Sequence, residues 1–178
     1  MDVSTRCRTL TPSDRLRYSP GSLLLIASPS APERDRFVAR VLEDRNAYLS
    51  LDKVRALLKG RVPDGQVEER ARELLGTAIG RRLESGETVV LGVDGLASEE
   101  REPYVRMAHA VRRPRHVILL EAGREDADEE ARAQLDELRR ALVAGELGNE
   151  GIQTALRLSG GTVAEVKRIV FRPPPRDE

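Results

Sequence analysis

One loop of the sequence carries residue types that could hold phosphate groups. It runs from Ser28 to Arg36, directly after an apolar run, and contains two serines, Arg34 and Asp35. Backbone N–H groups and hydroxyls in such a loop hydrogen-bond phosphate oxygens, and a basic side chain neutralises their charge. We therefore take Ser28, Ser30, Arg34 and Asp35 as candidate nucleotide-binding residues, with Asp35 also a candidate ligand for magnesium.

The spacing of this loop matches the phosphate-binding P-loop, G-x-x-x-x-G-K-[S/T], but its residue types differ. Ser28 and Glu33 stand at the two glycine positions, Arg34 at the lysine position and Asp35 at the hydroxyl position. A side chain at the second glycine position obstructs the tight turn. Glu33 and Asp35 also place negative charge beside a site for negative phosphates. Two interpretations follow: an ordinary strand-to-helix turn without a ligand, or an altered loop that still holds a nucleotide.

Two further loops carry carboxylates in suggestive positions. Asp52 and Arg55 lie three residues apart, so they share one face of a helix. In a phosphoryl-transfer site, the carboxylate could accept the proton of the acceptor hydroxyl and the arginine could bind a phosphate. Asp94 follows an apolar strand and could hold water on a magnesium ion. The alternatives are a helix cap with an ion pair at the first position, and a turn-forming Asp-Gly at the second.

Apolar periodicity predicts the elements that position these loops. Continuous or alternating apolar runs predict strands at 23–27, 47–51, 88–93, 116–120, 152–158 and 167–171. Three- and four-residue spacing predicts helices from residue 33, over 52–58, 64–85, 98–111 and 126–143. This alternation predicts an α/β fold with a mostly parallel central sheet and helices on both faces. The three loops then lie at the carboxyl ends of strands, where such sheets bind ligands.

Length and composition limit the possible classes of protein. The 178 residues fit one globular domain, which we place at 22–172 between a flexible N-terminal tail (1–21) and a C-terminal tail (173–178). Basic and acidic residues number 30 each, so the charge does not indicate a nucleic-acid partner, although a local basic groove stays open. One cysteine cannot form an internal disulfide, and two histidines are too few for a His-based metal site by themselves. No apolar run approaches about 20 residues, so we expect no membrane contact and a cytoplasmic protein.

The order of these features resembles the kinase domain of the bacterial polynucleotide kinase family, with zeta-toxin type kinases also similar. The resemblance covers about 23–171. It depends on four features in order: the serine-containing loop, Asp52-x-x-Arg55, the segment Arg82-Leu83-Glu84-Ser85-Gly86 before the strand that ends at Asp94, and Glu150-Gly151-Ile152. It implies a three-layer P-loop NTPase fold of the kinase type, with ATP and Mg²⁺ as cofactors in an active member.

The resemblance also implies roles for individual residues. Asp52 would be the catalytic base that activates the 5′-hydroxyl of a nucleic acid, and Arg55 would bind the acceptor phosphate. Asp94 is the acidic residue after the second clear strand. A lid would be formed by the charged helix that contains Arg132 and Arg139. The alternative for that helix is a solvated charged surface.

Three functional hypotheses follow from the altered loop. The first is a degenerate kinase, or pseudokinase, with weak or absent nucleotide binding, no required cofactor, and a binding or regulatory role. The second is an active ATP-dependent kinase that uses Arg34 and phosphorylates a nucleic-acid 5′-hydroxyl or a small hydroxylated substrate. The third, which overlaps the first, is a subunit of a larger assembly with a protein partner.

Overall fold

A computed structural model of the chain describes residues 2–173. Its eight strands are β1 (Arg8–Thr9), β2 (Arg15–Tyr18), β3 (Leu23–Ala27), β4 (Tyr48–Ser50), β5 (Val89–Gly92), β6 (Arg115–Leu120), β7 (Thr154–Leu158) and β8 (Arg168–Phe171). Its α-helices are α1 (Ala31–Val41), α2 (Leu51–Leu58), α3 (Val67–Glu84), α4 (Glu102–Ala110), α5 (Glu129–Val143) and α6 (Thr162–Glu165). Among these residues, no helix has the length and apolar content needed to cross a membrane.

Six strands form one parallel sheet, in the order β1-β7-β6-β3-β5-β4. Strands β2 and β8 form a second, two-stranded parallel sheet. The central strands β3 and β6 are buried along their whole length, because both faces of the main sheet are covered. The expectation of an α/β fold with a mostly parallel central sheet is therefore confirmed.

The two faces of the main sheet are covered by different elements. On one face, Leu23 and Leu25 of β3 join a core formed with α3, α4, α5 and the start of α2. On the other face, Leu24 and Ile26 pack with α1 and the small β2–β8 sheet. Helix α1 follows β3 and α4 follows β5, so the chain leaves these neighbouring strands toward opposite faces. This divergence opens a crevice at their carboxyl ends, the usual ligand position in such sheets.

The segment expected to be an N-terminal tail contributes two strands. In β2, Leu16 and Tyr18 are buried, while Arg15 and Arg17 are exposed. This alternation of apolar and polar residues is typical of a half-buried strand, but it covers only four residues. The partner strand β8 lies about 150 residues later in the chain, and its pairing with Leu16 opposite Ile169 fixes the register. A tertiary contact therefore decides the structure of this segment.

Candidate functional site

The structure brings the three candidate loops together at the carboxyl ends of β3, β4 and β5. Arg34 lies in the first turns of α1, Asp52 in the first turn of α2, and Asp94 in the loop after β5. Arg34 Nη2 lies 3.5 Å from Asp52 Oδ2. Arg55 Nη1 lies 2.9 Å from Asp94 Oδ1. Residues from three separate parts of the chain thus form one cluster of charges.

Arg34 is the buried centre of this cluster. Its side chain is only 2% exposed, although arginine is almost never fully buried without a partner. Nη1 donates to the backbone oxygen of Val93 at 2.7 Å, and Nε donates to the hydroxyl of Tyr48 at 3.1 Å. Nη2 donates to Asp35 Oδ1 at 3.2 Å. The guanidinium group therefore fills the crevice between α1 and the ends of β4 and β5.

Gly92 makes room for this arrangement at the end of β5. A Cβ atom on Gly92 would lie 2.7 Å from Arg34 Nε and would also overlap the hydroxyl of Tyr48. Glycine inside a strand often marks a place where another group approaches the backbone closely. The absence of a side chain at Gly92 is what allows Arg34 and Tyr48 to meet over the strand.

Tyr48 and Asp35 keep the guanidinium charged. Burial by itself lowers the pKa of Arg34, but Tyr48 and Asp35 more than offset this, and the pKa is raised above its ordinary value. Burial, together with Asp35, raises the pKa of Tyr48 well above that of a free phenol. The hydroxyl of Tyr48 therefore stays protonated and donates to Asp35 Oδ1 at 2.5 Å. The result is a closed triad of a cation, a phenol and a carboxylate.

Arg55 is held by three carboxylates. Its Nη1 donates to Asp52 Oδ1 and Asp94 Oδ1, both at 2.9 Å. Its Nε and Nη2 donate to the two oxygens of Glu68 at 2.8 Å each, and Nη2 also donates to Asp94 Oδ2 at 3.0 Å. The hydrogen bonds that Arg55 donates to Glu68 and Asp94 raise its pKa. Every guanidinium nitrogen that a phosphate could use already has a carboxylate partner.

The ion pairs continue to the outer face of α3. Arg72 contacts Glu68 at 3.0 Å and Glu100 at 3.2 Å, and lies 3.9 Å from Asp94. We call the whole set the carboxyl-end cluster; it consists of Arg34, Asp35, Asp52, Arg55, Glu68, Arg72, Asp94 and Glu100. It joins five carboxylates with three guanidinium groups, so it carries an excess of negative charge. Like charges repel, and this surplus opposes the approach of phosphate groups.

The loop between β3 and α1 uses its own hydrogen-bond donors. Only Ser28, Pro29 and Ser30 separate the strand from the helix. The amide of Ser30 donates to Ser28 Oγ at 3.1 Å, and the amide of Glu33 donates to Ser30 Oγ at 3.3 Å. The amide of Arg34 donates to the backbone oxygen of Ser30 at 3.0 Å. This is the hydrogen bonding of a helix N-cap, and it matches the interpretation of the loop as a strand-to-helix turn.

The two candidate magnesium ligands already accept hydrogen bonds from protein donors. Asp35 Oδ1 accepts hydrogen bonds from Arg34 and Tyr48, and both oxygens of Asp94 accept from Arg55. Within residues 2–173, no three His, Cys, Asp or Glu side chains converge in a metal-binding arrangement. Magnesium prefers oxygen ligands that are free to complete an octahedron. Both carboxylates are paired with arginine side chains, Asp35 with Arg34 and Asp94 with Arg55.

The arginines expected to form a lid contact other parts of the protein. Helix α5 buries three leucines in the core, so it is a fixed layer of the fold. Arg139 Nε donates to Glu121 Oε1 at 2.6 Å, and Arg157 binds the other oxygen of that buried carboxylate at 2.9 Å. Arg132 donates to the backbone oxygen of Glu125 at 3.0 Å. Each described contact of Arg132 and Arg139 therefore lies outside the carboxyl-end cluster.

Three residues of the site, Tyr48, Glu68 and Gly92, were not expected from the sequence. Tyr48 lies in a weakly patterned strand, and Glu68 lies on the exposed face of α3. Gly92 interrupts a buried apolar run, and this was the one available signal. A glycine there indicates a close approach to the strand, but it does not identify the approaching group.

Neither a protein-family model nor a curated protein matches the chain. The chemistry of the site is therefore inferred from its own residues. Those residues form an internally paired, negatively charged cluster in the crevice where an α/β sheet of this topology usually binds its ligand.

Proposed function

We propose that this protein is a degenerate P-loop kinase-like protein that binds nucleotides weakly or not at all and acts as a binding or regulatory module. The observation that carries the proposal is the burial of the Arg34 guanidinium group on Val93, Tyr48 and Asp35. Arg34, the residue at the lysine position of the P-loop pattern, thus forms hydrogen bonds within the protein.

Three physical costs oppose nucleotide binding at this crevice. A phosphate at Arg34 would have to displace charge-assisted hydrogen bonds, which contribute about 1.5–3 kcal/mol each. It would also approach an excess of carboxylates, which repel its negative charge. The amides of Ser30, Glu33 and Arg34 are already paired within the turn, and Pro32 has none to offer. These costs act on the same ligand and add to one another.

One observation favours the alternative of an active ATP-dependent kinase. The Asp52 carboxylate is 43% exposed at the mouth of the crevice, and Arg55 lies beside it at 2.9 Å. A carboxylate in that position could accept the proton of a nucleic-acid 5′-hydroxyl or of a small hydroxylated substrate. The pairing of Arg55 with three carboxylates weighs against this alternative, because its phosphate-binding fork is occupied.

Isothermal titration calorimetry of the wild-type protein with Mg-ATP, Mg-GTP and Mg-ADP tests the proposal. We expect no saturable heat at millimolar nucleotide. Binding in the micromolar range would overturn the proposal. A second assay then measures phosphate transfer from ATP to the 5′-hydroxyl of a DNA oligonucleotide. Transfer that Asp52→Asn abolishes, and that the exposed control Asp64→Asn leaves intact, would establish the kinase alternative.

A further inference from the structure

A groove lies beside α5, outside the carboxyl-end cluster. It is bounded by the residues that follow Asp94, by α5, and by the 3-10 turn Glu146–Glu150. Its volume is about 630 Å³, within the range of about 300–1,000 Å³ that is typical of ligand sites. The buried side chains of Leu96 and Leu138 line it. The groove therefore combines the volume of a ligand site with apolar lining residues.

The walls of this groove are acidic. Its lining includes four glutamates, namely Glu130, Glu137, Glu146 and Glu150. On α5, Glu130, Gln134 and Glu137 are spaced by four and three residues, so they share one helix face. Within residues 2–173, Glu130 forms no salt bridge, while Glu137 and Glu146 share Arg140 at 2.7 and 2.9 Å.

The one basic residue in the lining is not available to an anion. Arg101 is 3% exposed, and its Nε and Nη2 each donate to an oxygen of Glu150 at 3.0 Å. Its Nη1 donates to the backbone oxygen of Leu96 at 2.9 Å. Since every nitrogen of this buried guanidinium group already donates to a protein oxygen, the lining residues present carboxylates to a ligand and no free positive charge.

We propose that this groove binds a segment of a partner protein in which a basic side chain neighbours an aliphatic one. The aliphatic group would lie against Leu96 and Leu138, and the ammonium or guanidinium group would reach the exposed carboxylate of Glu130. Complementary charge of this kind fixes register and speeds association. The inference rests on the proposed binding role and deepens it, because it names the chemistry of the partner.

Fluorescence anisotropy with a labelled five-residue peptide of alternating arginine and leucine tests the inference. Two further probes replace each arginine with glutamate or with glutamine. We expect saturable binding of the basic peptide that is at least about tenfold tighter than that of the acidic one, and that weakens as salt screens the charges. Equal binding of the basic and acidic peptides, or no saturable binding of the basic peptide at 1 mM, would overturn the inference.

A matched pair of variants localises the binding. Glu130→Lys reverses a charge in the groove, and Glu129→Lys makes the same change one residue earlier, in the same helical turn and outside the lining. Both lose the same favourable interaction with the helix dipole. We expect about fivefold weaker peptide binding for Glu130→Lys and less than about twofold for Glu129→Lys. An equal effect of the two variants would place the peptide elsewhere and refute the groove.

The nucleotide titration and the peptide titration test the two proposals independently. Micromolar nucleotide binding would overturn the proposed function whatever the peptides do. Failure of the peptides to bind, with nucleotide binding also absent, would remove the groove proposal and leave the degenerate kinase proposal standing.

Discussion

Replacing Arg34 with alanine tests the central role of this buried cation. The variant removes the charge-assisted hydrogen bond to the backbone oxygen of Val93, which contributes about 1.5–3 kcal/mol, and leaves a cavity beside Gly92. The bond to Tyr48 is also lost, but this adds little because the Tyr48 hydroxyl keeps its hydrogen bond to Asp35. Asp35 and Asp52 lose a cationic partner, but they are 47% and 43% exposed and recover solvation by water. We therefore expect the free energy of unfolding to fall by about 2–4 kcal/mol.

Urea denaturation followed by circular dichroism measures this loss. For a domain of this size, the expected fall in melting temperature is about 4–16 °C. Arg36→Ala is the matched control, because Arg36 lies two residues away and is 72% exposed. Within residues 2–173 it pairs only with Glu33, so its loss should cost less than about 1 kcal/mol. Arg34→Lys keeps the charge without the planar fork and should give an intermediate loss.

The reasoning would be refuted if Arg34→Ala cost less than about 1 kcal/mol, or no more than Arg36→Ala, with an unchanged urea dependence. Either result would mean that the guanidinium group is not an essential part of the folded crevice. The space at the end of β5 would then be open to a ligand at little energetic cost, and the main argument against nucleotide binding would be lost.

Two further predictions concern close packing and pH. Gly92→Ala should destabilise the fold by about 1–3 kcal/mol through overpacking against Arg34. The control Gly80→Ala, in a helix with open space around it, should be neutral or stabilising. Equal melting temperatures for the two variants would contradict the close approach of Arg34 to Gly92. Burial lowers the pKa of His116 to about 4, so its contribution to stability is complete above about pH 6.5 and is lost as the pH falls from there toward 4. The expected fall in the free energy of unfolding between pH 7.5 and 5 is about 2 kcal/mol. His116→Gln should flatten that part of the plot of stability against pH, and the control His109→Gln should not. An unchanged slope in His116→Gln would exclude this assignment.

Much of the fold is predictable because its signals are local. Strands β3 and β6 are continuous apolar runs, and the parallel sheet that buries them on both faces requires such runs. The helices follow from apolar spacing, and the structure adds that Ser30 and Ser50 cap the starts of α1 and α2. Strand β2 is the exception, since its four residues acquire a partner only through pairing with β8.

The candidate site is less predictable because charge pairing is a tertiary property. From the sequence, Asp52 and Arg55 are expected to share a helix face, and they do so at 2.9 Å. The sequence does not reveal that Glu68 and Asp94 also bind Arg55, because these residues come from other elements. Arg139 was expected to belong to a lid helix, and the sequence does not reveal that it pairs with the buried Glu121.

The sequence by itself therefore determined the α/β class, the order of the elements from β3 to β7 and the absence of a standard phosphate loop, since each depends on residues close together in the chain. Only the tertiary structure decided what replaces that loop. Folding brings Val93, Tyr48 and Asp35 around Arg34, and a buried guanidinium group must take the hydrogen-bond partners it finds there. The same residue type exposed on a helix would be free to bind an anion; its burial is what directs it to the protein's own oxygens.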